Sequence, residues 1–166
     1  DGPADIDFAI AKKPQSQSPI EFLGGTLVAR GVDAAYSSFP YRVRGLTGTV
    51  RFDPKGPIHI ENLRGRHGPA TIIVNGEQSQ ARWACGLDLR IEGQNVPLDE
   101  DLRSCLSPRY RRIWSLFDPH GSTNVKVHLQ RPDSTTNEPA PTRTEIDASL
   151  LGVSARYTDV TLPMTD

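Results

Sequence analysis

Residues 40–77 contain three short runs with alternating apolar residues, and each run is followed by turn-forming residues. Alternation with a period of two places apolar side chains on one face of a strand, and Asp-Pro-x-Gly and Asn-Gly favour tight antiparallel connections. The pattern therefore predicts a β-meander with turns at 53–56, 65–68 and 75–76. The apolar positions of the three runs are Val43, Leu46, Val50, Phe52, Ile58, Ile60, Leu63, Ile72 and Val74.

Alternating runs on the N-terminal side extend the predicted sheet. Residues 4–11 form one predicted strand, and residues 20–30 form another in which Gly24 and Gly25 predict a bulge or sharp bend. Residues 32–36 are predicted to be a further strand or the continuation of the second. On the C-terminal side of the meander, residues 81–92 have five apolar side chains at a strict period of two, which predicts another strand.

The period of the apolar residues changes between Pro97 and Phe117. There the apolar residues recur at three and four positions, in two blocks, which predicts two short amphipathic helices that cover one face or one end of the sheet. Ser107 followed by Pro108 is typical of the N-terminus of the second helix. The sequence Asp-Pro-His-Gly from Asp118 is predicted to end it.

Alternation returns in residues 124–130, and a polar, proline-rich loop is predicted over 132–144. A last strand or pair of strands is predicted over 145–162. The predicted fold class is α+β, mainly β: a curved antiparallel meander with a pair of short helices inserted at about 97–117. An apolar content of 36% with 14 Gly and 14 Pro is typical of such a turn-rich sheet with one solvated face.

The 166 residues are predicted to form one β-rich module, 1–166. Because the chain begins with Asp1, it is expected to be a fragment of a larger protein. Residues 26–40 and 149–163 resemble each other at a separation of roughly 120 residues, which predicts a repeat whose second copy is incomplete. If so, the next repeat would continue the sheet beyond Asp166.

Charge and hydropathy exclude some functions. A net charge of −1 gives no electrostatic basis for nucleic-acid binding, and no apolar run reaches the roughly 20 residues that span a bilayer.

Cys85 and Cys105 are interpreted as two small buried side chains, with one disulfide as the alternative.

The residue patterns of enzymes are missing. The four histidines, His59, His67, His120 and His128, have no metal-binding spacing, and no serine has a nucleophile context. Asp99, Glu100 and Asp101 are interpreted as the favourable charges of a first helical turn. The prediction is a protein that is not an enzyme, with no catalytic residues, no metal and no cofactor.

The residues of the meander, "PYRVRGLTGTVRFDPKGPIHIENLRGRHGPATIIVNGE", are similar to repeats of AsmA-like and TamB-like bacterial envelope proteins. The match is best over 40–77, and the helical block at 97–117 departs from it. The resemblance implies a periplasmic or cell-envelope module of a parent anchored in the inner membrane, with an apolar groove for lipid transport or outer-membrane assembly. The positions that match the repeat are Gly48, Val50, Phe52, Ile58, Ile60, Leu63, Gly65, Gly68, Ile72, Val74 and Gly76.

Two functional hypotheses follow. The first is a non-enzymatic repeat module whose apolar face contacts phospholipid or neighbouring repeats of the same chain. The alternative is a soluble protein- or carbohydrate-binding module of a cell-surface protein, which would use surface aromatics such as Tyr36, Tyr41 and Tyr157. The residues predicted to face lipid or a partner are Val50, Phe52, Ile58, Ile60, Ile72, Val74, Leu87 and Leu89.

Overall fold

A computed structural model describes residues 2–12, 20–36, 39–79, 85–134, 138 and 140–157. The strands are β1 (Ala4–Lys12), β2 (Ile20–Tyr36), β3 (Phe39–Phe52), β4 (Ile58–His67), β5 (Ala70–Gln78), β6 (Leu87–Pro97), β7 (His120–Arg131) and β8 (Arg143–Ser154). All eight form one antiparallel sheet in which strand order follows chain order. Helices α1 (Glu100–Cys105) and α2 (Pro108–Phe117) lie between β6 and β7. The predicted class, mainly β with an inserted helix pair, is confirmed.

Strands β3, β4 and β5 form the predicted meander, and the first of its three predicted turns is confirmed. The Gly56 N–H donates to the Asp53 carbonyl at 3.3 Å, and the Lys55 N–H donates to the Asp53 carboxylate at 2.9 Å. The second turn is shorter than predicted, because β4 continues through His67 and the chain reverses at residues 68–69. Gly68 there has a left-handed backbone with φ 53°.

The predicted turn at Asn75 and Gly76 is wrong, because both residues lie inside β5. Gly76 pairs with Ile60 on one side and with Leu89 on the other, at a φ of 147°. A Cβ at this position would lie against the Asp88 carbonyl oxygen and 2.9 Å from the Leu89 Cα. The glycine therefore permits a close approach of β5 and β6, and it does not make a hairpin.

Asn75 supports a bulge in the neighbouring strand. Its side-chain oxygen accepts the N–H of Asn62 at 2.7 Å, and Asn62 has a left-handed backbone with φ 47° where the β4–β5 register shifts. Asn124 and Asn95 repeat this arrangement one hairpin later, at 2.8 Å with φ 53° at Asn95. In both places an asparagine side chain satisfies a backbone donor that the bulge removes from the ladder.

The other strand predictions hold with changed limits. The bulge predicted at Gly24 is confirmed, because the β1–β2 register shifts opposite it, and β2 runs without a break to Tyr36. The strand predicted over 81–92 appears as β6, which ends later, and residues 80–84 lie outside the described residues. The last predicted strand appears as β8, and its predicted part beyond residue 157 also lies outside.

Both predicted helices form, and α2 begins as expected, whereas Asp99, expected in the first turn of α1, is its cap. The Asp99 carboxylate caps α1 by accepting the Leu102 N–H at 3.0 Å, and Ser107 precedes α2 with Pro108 in its first turn. Only α1 closes an end of the sheet. None of the residues of α2 is buried, and its apolar side chains Tyr110, Ile113 and Phe117 are exposed.

The core is small and lies at the α1 end of the sheet. It consists of the buried side chains of Tyr41, Ala70, Ile72 and Val96, with partly buried neighbours that include Leu102 and Cys105 of α1. Both cysteines are free thiols, so the disulfide alternative is wrong, and both are half-buried where the interpretation had them buried.

The first and last hairpins share one geometry. In each, a glycine near the start of the hairpin faces the backbone of a second glycine with positive φ. A Cβ on the first glycine would lie 2.6 Å from the facing carbonyl oxygen in β1–β2 and 2.9 Å in β7–β8. The four glycines are Gly2 with Gly31, and Gly121 with Gly152.

Candidate binding surface on the apolar face of the sheet

One face of the sheet is apolar across all eight strands. Directly paired residues of antiparallel strands point to the same face, so the register defines rows of side chains. The face that carries the row given in the next sentence, together with every second residue on either side of it along each strand, is named the apolar face. From β1 to β8 this row is Ile6, Leu27, Val50, Ile60, Gly76, Leu89, Leu129 and Thr144.

The structure brings all eight sequence-predicted residues onto this apolar face. Phe52 pairs with Ile58, Ile58 pairs with Gln78, and Gln78 pairs with Leu87, so the three apolar residues lie on the same face. The other members occupy alternate positions of the same strands. Ile72 is buried, and the rest are half-buried. Their contact with lipid or a partner stays a prediction.

The residues predicted from the sequence to face lipid or a partner do not include the two ends of the apolar face. Ile6 and Phe8 of β1 are each 64% exposed, and Ile146 and Leu150 of β8 are 63% and 65% exposed. The period-two alternation that identified the central residues is also present in these strands, so the same signal could have found them. The apolar face is therefore most exposed at β1 and β8, the two edges of the sheet.

Helix α1 lies against one end of the apolar face. Leu102 and Cys105 pack with Tyr41, Ile72 and Val96, where β3 begins and β6 ends. At the opposite end of the strands the face carries Phe52, Ile58 and Leu87, all partly exposed. An apolar surface of this extent at the surface of a domain marks a contact with another molecule or another part of the chain.

The opposite face is polar. Ion pairs join neighbouring strands there, between Arg51 and Glu61 at 3.3 Å and between His59 and Glu77 at 3.6 Å. His59 and His128 lie on this side, as predicted. The row that crosses the face is Asp7, Thr26, Arg51, His59, Glu77, Asp88, Gln130 and Arg143. The two faces of the sheet thus differ sharply in polarity.

The carboxylate of Asp88, on the polar face, is hydrogen-bonded by two side chains. His128 Nε2 lies 2.9 Å from Asp88 Oδ1, and Gln130 Nε2 donates to the other oxygen at 3.3 Å. The hydrogen bond from His128 lowers the pKa of Asp88 below its ordinary value, with smaller effects from Gln130 and Arg90. The ionised carboxylate is therefore favoured in the folded chain.

Asp88→Asn is expected to lower the free energy of unfolding at neutral pH and to have little effect in acid that protonates the native carboxyl group. The native pKa lies below the unfolded value of about 3.9, so the stabilisation is present above that value and is lost as the pH falls through the native pKa. Urea unfolding of the unmodified chain and of Asp88→Asn, from neutral pH into acid, measures the difference in the free energy of unfolding. Glu92→Gln, at an exposed carboxylate of the same strand, is the control. An Asp88→Asn effect that is equal at both ends of the pH range would contradict the prediction.

The aromatic residues proposed for the alternative function are not all at the surface. Tyr36 is 69% exposed and Tyr157 is 51% exposed, whereas Tyr41 is only 7% exposed and belongs to the core. The prediction of Tyr41 as a surface aromatic is therefore wrong. Burial raises the pKa of the Tyr41 phenol, and the negative charges of Asp99 and Asp101 raise it further.

No protein-family model, curated protein or solved structure matches this chain significantly. The helices among the described residues are too short or too polar to cross a membrane.

Proposed function

We propose that the chain is a non-enzymatic β-rich module of a large bacterial cell-envelope protein, and that its apolar face forms part of a groove for lipid acyl chains. The observation that supports this most strongly is the apolar face that extends across eight strands, with α1 against one end of it. The groove would serve lipid transport or outer-membrane assembly, as the family resemblance implies.

The dimensions of the face suit acyl chains. Eight strands at a spacing of about 4.8 Å span roughly 34 Å, whereas one leaflet contributes about half of the ~30 Å hydrocarbon core of a bilayer. Aliphatic side chains such as Val50, Ile60 and Leu89 offer no hydrogen bonds, so they bind through the hydrophobic effect and do not select a headgroup. The expected ligand class is phospholipid, held by its acyl chains.

Neighbouring repeats of the same chain are the second proposed partner. The edges β1 and β8 expose apolar side chains, and an edge strand offers unpaired backbone groups to a further strand. The shared geometry of the first and last hairpins supports a unit of six strands and two helices that begins again at β7. The periplasmic location and the inner-membrane anchor of the parent rest on the resemblance.

Ile60→Lys is expected to weaken phospholipid binding at least tenfold, about 1.4 kcal/mol, because it places a charge in the middle of the apolar face. His59→Lys adds the same side chain to the adjacent position on the polar face, and it should leave the affinity unchanged. Titration with a fluorescent phosphatidylethanolamine below its critical aggregation concentration measures both, and native mass spectrometry gives the stoichiometry. Circular dichroism establishes that both variants are folded.

Two results would contradict the proposal. One is the absence of saturable phospholipid binding to the unmodified chain. The other is an equal loss of affinity in Ile60→Lys and His59→Lys, which would move the contact away from the apolar face.

The exposure of Tyr36 and Tyr157 favours a second candidate, a soluble protein- or carbohydrate-binding module. Exposed aromatic rings stack on sugars and anchor protein interfaces. Specific binding on a glycan array that is lost in Tyr36→Ala, in a chain that does not bind phospholipid, would favour this function over the first.

A further inference from the structure

Three potential metal ligands converge beside α1, although their spacing in the sequence gives no sign of it. His67 ends β4, Asp99 is the cap of α1, and Asp101 lies in its first turn. One ligand atom of each lies within 4.8 Å of those of the other two. These three residues are named the His67 cluster. The fold creates it by placing the β4–β5 turn against the start of α1.

The His67 ring is held in an orientation that suits a metal ligand. Its Nδ1 lies 2.7 Å from the Arg42 carbonyl oxygen, and because a carbonyl only accepts, Nδ1 carries the proton. Its Nε2 faces the Asp101 carboxylate at 3.3 Å. In the neutral ring this nitrogen is an acceptor, so the position between it and the carboxylate suits either a proton or a metal cation. Metal-binding histidines are commonly oriented by such an N–H to carbonyl bond.

Tyr41 provides an independent indication of a ligand. Its ring stacks on His67, with centroids 3.9 Å apart and planes 25° apart. Its hydroxyl is buried and has no hydrogen-bond partner among the described residues, and the charges of Asp99 and Asp101 act on it. A buried hydroxyl without a partner is unfavourable, and a metal-bound water would provide that partner.

We propose that His67, Asp99 and Asp101 form a binding site for a divalent metal ion of the zinc type, with a metal-bound water next to the Tyr41 hydroxyl. Two ligands of a tetrahedral zinc ion with bonds of about 2.0–2.1 Å lie about 3.3 Å apart, which matches the His67 to Asp101 distance. One oxygen of Asp99 accepts the Leu102 N–H, and the other is left for the metal. One imidazole and two carboxylates suit zinc, cobalt or manganese better than magnesium.

The site would be structural. The metal would join the β4–β5 turn to α1, and α1 is the element that covers one end of the apolar face. A metal that binds only the folded chain stabilises it in proportion to the logarithm of its free concentration. This proposal is independent of lipid binding, and either can fail without the other.

The test uses the full chain without an affinity tag, freed of metal by chelation. Isothermal titration with Zn²⁺ should give one equivalent, and Asp101→Asn should weaken binding at least tenfold. Glu100→Gln removes the same charge from the same helical turn at a residue outside the cluster, and its affinity should stay within twofold of the unmodified chain. Nitrogen NMR of the imidazole should show a Zn²⁺-dependent shift at Nε2 of His67, with Nδ1 still protonated.

Two results would overturn the proposal. One is Zn²⁺ binding that is absent or weakened equally by Asp101→Asn and Glu100→Gln. The other is a His67 imidazole signal that does not change on addition of Zn²⁺, which would show that His67 and Asp101 form an ordinary ion pair.

Discussion

Gly76→Ala is expected to lower the free energy of unfolding by about 3 kcal/mol or more. The new Cβ would overlap the Asp88 carbonyl and lie 2.9 Å from the Leu89 Cα, and both atoms belong to the backbone of β6, which cannot turn aside. The φ of 147° at this position is also unfavourable for any residue with a Cβ. Urea denaturation followed by far-UV circular dichroism measures the loss.

Gly68→Ala is the matched control. Gly68 also has positive φ, at 53°, but a Cβ there meets nothing within 4 Å. Only the left-handed backbone opposes the alanine, at a cost of about 1 kcal/mol. Comparable losses of unfolding free energy in the two variants would mean that the close approach of β6 contributes nothing at Gly76. The explanation for the glycine inside β5 would then fail.

Ile72→Ala is expected to cost about 2–4 kcal/mol. Ile72 is buried between Gly65 and Gly93 of the neighbouring strands, which leave space for its branched side chain. It also packs in the cluster that α1 covers. Shortening the side chain leaves a cavity that rigid strands cannot fill, and it removes part of the surface on which α1 lies.

Ile73→Ala is the control for this substitution, because the same change is made one residue later on the other face of β5. Its neighbours there are Arg64 and Glu92, so the expected cost is about 1 kcal/mol or less. Urea unfolding monitored by circular dichroism compares the two. Equal costs would contradict the assignment of the core to the α1 end of the apolar face.

Local patterns predicted most of the fold. Period-two alternation identified β3, β4 and β5 because a strand must alternate its faces, and the same rule placed Val50, Ile60 and Leu89 on one side before the register was known. The change to helical period identified α1 and α2, and Ser107 with Pro108 marked the helix start. These features depend on neighbours in the chain, which the sequence displays directly.

Sequence patterns gave a wrong prediction, or none, where the role of a residue is set by residues far from it in the chain. Asn75 and Gly76 have the composition of a tight turn, yet their roles are set by a bulge at Asn62 and by the backbone of β6. The His67 cluster joins a turn to a helix more than thirty residues later, so no spacing rule contains it. Tyr41 is buried against residues of β5, β6 and α1 that lie far from it in the chain.

The order of the strands has a consequence for how the chain assembles. Among the described residues, each strand pairs with its neighbours in the chain, so most strand pairings close over short connections, and the packing of α1 against β3 is the main contact between distant segments. Folding can therefore propagate along the chain, as in repeat proteins. A newly synthesised chain could add each strand to a growing edge as it emerges, and its length would not slow its folding.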